Sequence, residues 1–215
     1  MSVLGPAYIT GTGAVLPGDP IGVDAMEDYL GRVGGRASAL GRRALRWNGI
    51  ETRHYALTPD GTPTHTNAGM CADAVRGAAE AAGEPLSRLN HLAAATTQGD
   101  LLVPGHAAQV HAELACGPLE IASFQSVCGS ALMAAKSAWQ AVRTGEAGTA
   151  AACAGEHASR WFRPHFFEGT ALVDAKGRLA MESDRAARRC GLALGGFEHC
   201  VDFRVSRTPA RHEAG

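Results

Sequence analysis

The 215-residue sequence lacks any apolar run near the ~20 residues that a membrane-crossing helix needs. Its opening, MSVLGPAYITG, has neither the charged start nor the apolar stretch of a secretory leader. It also lacks an excess charge of either sign, since 20 Lys plus Arg face 21 Asp plus Glu. A basic footprint for nucleic acid or an acidic membrane surface is thereby excluded as an expectation. The six cysteines (71, 116, 128, 153, 190 and 200) contain no C-x-x-C pair. With no export signal they read as reduced thiols of a cytoplasmic protein. No metal site is expected either. His106 and His111 are five residues apart and Cys116 five further on, which is neither one helix face nor a zinc spacing. No cofactor is expected.

What is present is an ordinary globular composition, 46% hydrophobic and 19% charged, enough for one large domain with a substantial core. AYITGTGAVLP reads as a strand running into a turn. Its Gly11-Thr12-Gly13 is no dinucleotide loop, because Leu16 holds the third glycine's place. GVDAMEDYLG suggests a short helix, and Asn48-Gly49 within RWNGIETRHYAL suggests a hairpin. From Thr66 to Gly83 the spacing of Met70, Ala74, Ala78 and Ala81 predicts a helix. LNHLAAATTQ predicts a buried strand, and PGHAAQVHAELACG a helix with Pro104 near its start and Gly117 past its end. LEIASFQSV is a strand, and residues 129 to 144 a helix with Leu132, Ala135, Trp139 and Val142 on one face. GTAAACAG is a further buried strand. This alternation implies an α/β domain over residues 1–181, with a mostly parallel five-stranded sheet and helices on both faces. Residues 182–215 show no period and read as an unpatterned tail, disordered or truncated.

Cys128 stands where a strand gives way to a helix. The first turn of a helix offers unbonded N–H groups and the positive end of the helix dipole, both of which favour thiolate. Gly129 leaves room for a substrate to approach. The N–H of the nucleophile itself faces a developing oxyanion in such a turn. The arrangement suits acyl transfer onto sulfur. Against it stands the commoner fate of cysteine as a small, inert core residue.

The segment SFQSVCGSALMAAKSAWQAVRTGEAGTAAACAGEHAS resembles the active-cysteine region of β-ketoacyl-ACP synthase III, in the thiolase superfamily. YITGTGAVLP is similar to that family's first strand and NGIETRHYA to its T-G-I-x-x-R-x-x-A segment. ATTQGDLLVPGHAAQVHAELA is similar to its T-T-x-x-x-x-x-x-P-x-x-A stretch. The match runs over roughly residues 5 to 160, in order. The resemblance implies a single thiolase-like half, with Cys128 taking an acyl group from an acyl-carrier-protein or acyl-CoA thioester. Decarboxylative condensation with a malonyl-type unit would follow. It also implies a homodimer or a complementing C-terminal half, since the family's decarboxylating His and Asn belong to that second half. Of the histidines, His106 and His111 lie on an earlier helix, and His199 and His212 in the tail. Two positions depart from the family. Arg43 stands where its nucleotide-gripping tryptophan is expected and Trp47 where its arginine is, which argues against ordinary acetyl-CoA priming. Val103 stands where a bulkier residue enters the partner's acyl pocket, which implies room for longer acyl groups. By the same resemblance, the GTAAACAG strand and the Cys128 helix lie near a two-fold contact.

A non-catalytic scaffold of the same ancestry is the alternative, with a frame-changed product a third reading. A cysteine hydrolase, needing a His beside Cys128, ranks last.

Overall fold

The computed structural model describes residues 5–32, 35, 37, 39–161, 163 and 198–206. The elements are β1 (Tyr8–Val15), β2 (Ile21–Gly22), α1 (Met26–Leu30), α2 (Ala39–Trp47), β3 (Thr52–Arg53) and α3 (Asn67–Ala81). They continue with β4 (His91–Thr96), α4 (His106–Leu114), β5 (Glu120–Gln125), α5 (Ser130–Thr144), β6 (Thr149–His157) and β7 (Glu198–Ser206). Two compact units result. One holds residues 5–15, 66–156 and 199–206, the other the described residues of 16–65 and 157–198.

The first unit is built on a five-stranded sheet in the order β1-β7-β6-β4-β5. Strand β4 runs parallel to β5 and to β6, whereas β1 and β7 are antiparallel to each other. All six residues of β4 are buried, as a central parallel strand covered on both faces should be. Its alternation sorts the helices. Ala93 and Ala95 pack with Ala134, Ala138 and Val142 of α5. On the other face Thr96 is bonded to Asn67 of α3, and Ser123, level with Ala94, accepts from the N–H of Ala107 in α4. The expected α/β layering, with helices on both faces, is what the chain forms.

Several details differ from the sequence reading. Gly11 and Gly13 lie inside β1, not in a turn after it. A Cβ on Gly11 would meet the Ala78 carbonyl, and one on Gly13 the Ala74 carbonyl, so these glycines let α3 lie directly on the strand. Asn48-Gly49 ends α2 rather than turning a hairpin. Gly49 adopts φ 68°, with Gly49 N donating to Arg46 O and Ile50 N to Leu45 O. Helix α4 ends at Leu114, with Gly117 past its end as expected, and it is Ala115 that takes the left-handed conformation (φ 50°). On α5 the face turned to the sheet is Ala134, Ala138, Ala141 and Val142, while Leu132 and Trp139 are exposed. Among the described residues, strand β6 lies between β7 and β4, and β5 is the edge strand beyond β4. Within the segment read as an unpatterned tail, Glu198–Ser206 form β7. The rest of that tail lies outside the described residues.

Helix α3 is capped from two sides. Thr66 Oγ1 accepts from Gly69 N (2.9 Å), and the Asp100 carboxylate accepts from Asn67 N (3.0 Å) and Ala68 N (2.8 Å). The second unit is held by a cluster of Val23, Met26, Leu30, Leu45, Tyr55 and Leu57, with Tyr29 stacked on Tyr55 at 5.4 Å. A cleft lined by Gly22, Val23, Asp24, Arg46, Ile50 and Glu51 lies wholly within it.

Two outcomes are expected. Gly13→Ala should lower stability by about 1–3 kcal/mol, because backbone must move to admit the methyl group. Urea denaturation checks this, and an unchanged midpoint would refute the close packing. His106 is buried with its Nε2 3.6 Å from Cys71 Sγ, and burial lowers its pKa from 6.5 to about 4 against the opposing pull of Asp100. The unfolded chain therefore takes up this proton first, and stability falls as pH drops from about 6.5 towards 4. The loss approaches about 3 kcal/mol. His106→Gln should flatten that slope in denaturation series at pH 7 and 4.5, and parallel slopes would rule His106 out as its source.

Candidate active site

The C-terminal ends of the parallel strands carry the groups of interest, as open α/β sheets favour. After β5 ends at Gln125, residues 126–129 form a turn and α5 begins at Ser130. Cys128 sits in this turn and is exposed. The Ser126 N–H donates to Thr96 O (3.3 Å), and Ser130 N donates to Val127 O (3.1 Å). Ser130 is buried, and its hydroxyl donates to Ser126 O (3.1 Å) and Val127 O (3.0 Å). That hydroxyl therefore ties the turn down from inside. It leaves α5 without a side-chain cap, so the first-turn N–H groups that follow Ser130 N remain available to an anion.

Gly129 is the residue immediately before α5, with φ −75° and open space where a Cβ would stand. The backbone there does not demand glycine. Val103 is 77% exposed on the loop before α4, where Leu101 and Leu102 are also exposed. Arg43 and Trp47 lie one turn apart on α2, the guanidinium 5.8 Å from the indole centroid and the indole exposed. The swapped pair thus still shares one helix face.

Sequence reasoning missed the polar groups beneath the site. Asn67, fully buried, donates from Nδ2 to Thr96 Oγ1 (2.8 Å), Gly155 O (3.2 Å) and Gln98 O (3.3 Å). Glu156 Oε1 accepts from Thr97 N (2.7 Å) and Thr97 Oγ1 (2.6 Å). Burial raises the Glu156 carboxyl above its usual pKa, while the Thr97 bonds pull it down. The only available signal was the polar cluster T-T-Q at the end of an alanine strand.

Of the buried histidines, His91 and His106 are engaged elsewhere. His106 meets Cys71, and His91 Nε2 lies 3.2 Å from Ser137 Oγ. His91 Nδ1 is also 3.4 Å from Glu120 Oε2, without hydrogen-bond geometry. This Ser–His–Glu order copies a hydrolytic triad, but Ser137 is mid-helix, where backbone N–H groups are already bonded and supply no oxyanion hole. It is a strut between helix and sheet.

Cys71 and Cys153 are buried, Cys116 is partly so, and Cys128 is exposed. Limiting iodoacetamide at neutral pH should therefore label Cys128 at least about tenfold faster than Cys71 or Cys153. Peptide mapping reads this out, and comparable rates would contradict the open turn.

No family model matches the sequence. Among solved structures the chain is similar to AbyA1, a tetronic acid condensing enzyme, with TM-score 0.72 and 20% identity over 94% of this chain and 55% of that one. It is similar to the 3-oxoacyl-(acyl carrier protein) synthase III of Aquifex aeolicus, with TM-score 0.65 and 18% identity over 94% and 54%. It is also similar to OleA of Xanthomonas campestris, with TM-score 0.70 and 17% identity over 96% and 56%. The chain spans little more than half the length of each, and at these identities the likeness is one of fold. That fold is the thiolase type found in condensing enzymes of the 3-oxoacyl-ACP synthase III kind, and this chain has the structure of its N-terminal half.

Proposed function

We propose that Cys128 accepts an acyl group from an acyl-carrier-protein or acyl-CoA thioester, the first step of a decarboxylative condensation of fatty-acid or polyketide type. The observation that carries this reading is an exposed thiol in a turn tied down by Ser130, directly ahead of an uncapped helix. The sulfur attacks the thioester carbonyl, and N–H groups of the turn meet the charge on its oxygen. The bond to the carrier's sulfur breaks, and the carrier thiol leaves with the proton given up by Cys128.

Condensation then requires groups that remove CO2 from a malonyl unit, the His and Asn of a second thiolase-like half. Support for such a partner is the exposed apolar face of α5, with Leu132, Met133 and Trp139, continued by Val127. The β5 edge, unpaired among the described residues and with Ile121 exposed, suits pairing with a second copy of the chain. Gly129 leaves space for the acyl carbonyl, and the small Val103 admits longer acyl groups at the subunit contact. The exchanged order of Arg43 and Trp47 favours carrier-protein thioesters or unusual starters over acetyl-CoA.

Intact mass after incubation with acyl-CoA and acyl-carrier-protein thioesters tests the reading. A single acyl adduct is expected, lost in Cys128→Ala, with no malonyl-dependent product until a second half is supplied. An adduct that survives Cys128→Ala would replace the enzyme reading with that of a scaffold. A malonyl-dependent product from these 215 residues alone would show a second catalytic group within them.

A further inference from the structure

The parallel ladder between β4 and β6 ends at Ala95 and Ala154. Beyond it the two chains are joined by side chains. Asn67 bridges Gly155 O and Thr96 Oγ1, and one oxygen of Glu156 takes both the N–H and the hydroxyl of Thr97. Two structures hang from the Thr96–Thr97 corner so formed. The first is the Cys128 turn, which leans on Thr96 O through Ser126 N. The second is the segment from Gln98 to Pro104. Gln98 N donates to Thr96 Oγ1, Asp100 is seated on the start of α3, and Gln109 Nε2 donates to Leu101 O (3.2 Å) and Pro104 O (2.7 Å). That segment holds Leu101, Leu102 and Val103 out to solvent, Leu102 being 91% exposed. Three consecutive apolar residues so displayed need a stiff base, or they fold back onto the surface.

We propose that Glu156 is the positioning residue of this corner: through Thr97 it holds the Cys128 turn and the Leu101–Val103 loop in one arrangement, and so sets how the thiol is presented to a thioester. The role in acylation rests on the proposed function of Cys128, whereas the mechanical role does not. A carboxylate suits the task because one oxygen accepts two short, charge-assisted bonds. Without it the Thr97 N–H and hydroxyl lose their acceptor in a partly buried place. Glu156 acts on the turn from the far side of β4, since β6 and β5 flank that strand.

Hydrogen exchange and acylation are measured together on the wild type, Glu156→Ala and Glu156→Gln. The alanine variant should exchange about tenfold faster or more at Thr97, Gln98 and Ser126. Amides of α3 beyond its first turn and of the centre of β4 should be unchanged. The glutamine variant, whose amide oxygen accepts from the same two donors, should restore most of the protection. Acylation of Cys128 should fall in the alanine variant and recover in the glutamine one. Faster exchange spread evenly over the whole sheet would overturn the proposal by making Glu156 a general stabilising group. So would no change at Thr97 and Ser126, or a glutamine variant as loose as the alanine one. A wild type that takes no acyl group would instead strike the proposed function, and the exchange pattern would still decide the role of Glu156.

Discussion

Burial of β4 on both faces is the constraint that organises the first unit. Apart from Leu92, the apolar side chains of this strand are alanines, so the layers on either side must come close before any apolar area is hidden. Helix α5 answers on one face with Ala134 and Ala138. On the other side of the sheet α3 reaches β1 only because Gly11 and Gly13 lack a Cβ. Packing of small on small gives little per residue and depends on exact approach, which makes the backbone here rigid and intolerant of one added methyl group.

Rigidity of the layers passes to the polar groups where the strand ends. A strand buried along its length must finish among buried N–H and carbonyl groups that water does not reach, and each needs a partner. Asn67, Thr96, Glu156 and Asp100 supply those partners at one corner. The same corner carries the turn in which Cys128 is exposed. An exposed thiol on a base tied by several buried hydrogen bonds is a useful combination, because reactivity needs access and selectivity needs a fixed position.

Exposed apolar side chains gather in places that fit association better than an isolated unit. Leu132, Met133 and Trp139 on α5 form one face, with Arg143 lying 5.1 Å over the Trp139 ring. Leu101, Leu102 and Val103 form another group on their loop. Adjacent exposed apolar residues of this kind mark contact surfaces. The solved structures it resembles are close to twice the length of the present chain.

The sequence by itself determined the local elements whose signals lie within a few residues of one another. Thr66 ahead of Met70 and Ala74 marked α3, the run from Leu92 to Thr96 marked a buried strand, and the strand–turn–helix order placed Cys128 ahead of α5. Capping and periodicity act over one or two turns, so they are readable without a partner. Tertiary structure alone decided which of two apolar stripes α5 turned inward. Leucine and tryptophan outrank alanine in hydrophobicity, yet an alanine strand leaves space only for Ala134 and Ala138, and Leu132 and Trp139 were turned out. It alone decided that Gly11 and Gly13 serve helix packing, that Asn48-Gly49 closes a helix, and that β7 lies between β1 and β6. The contact of Glu156 with Thr97, 59 residues away along the chain, was equally out of reach, because no local pattern encodes which donor a distant carboxylate meets once two strands lie side by side.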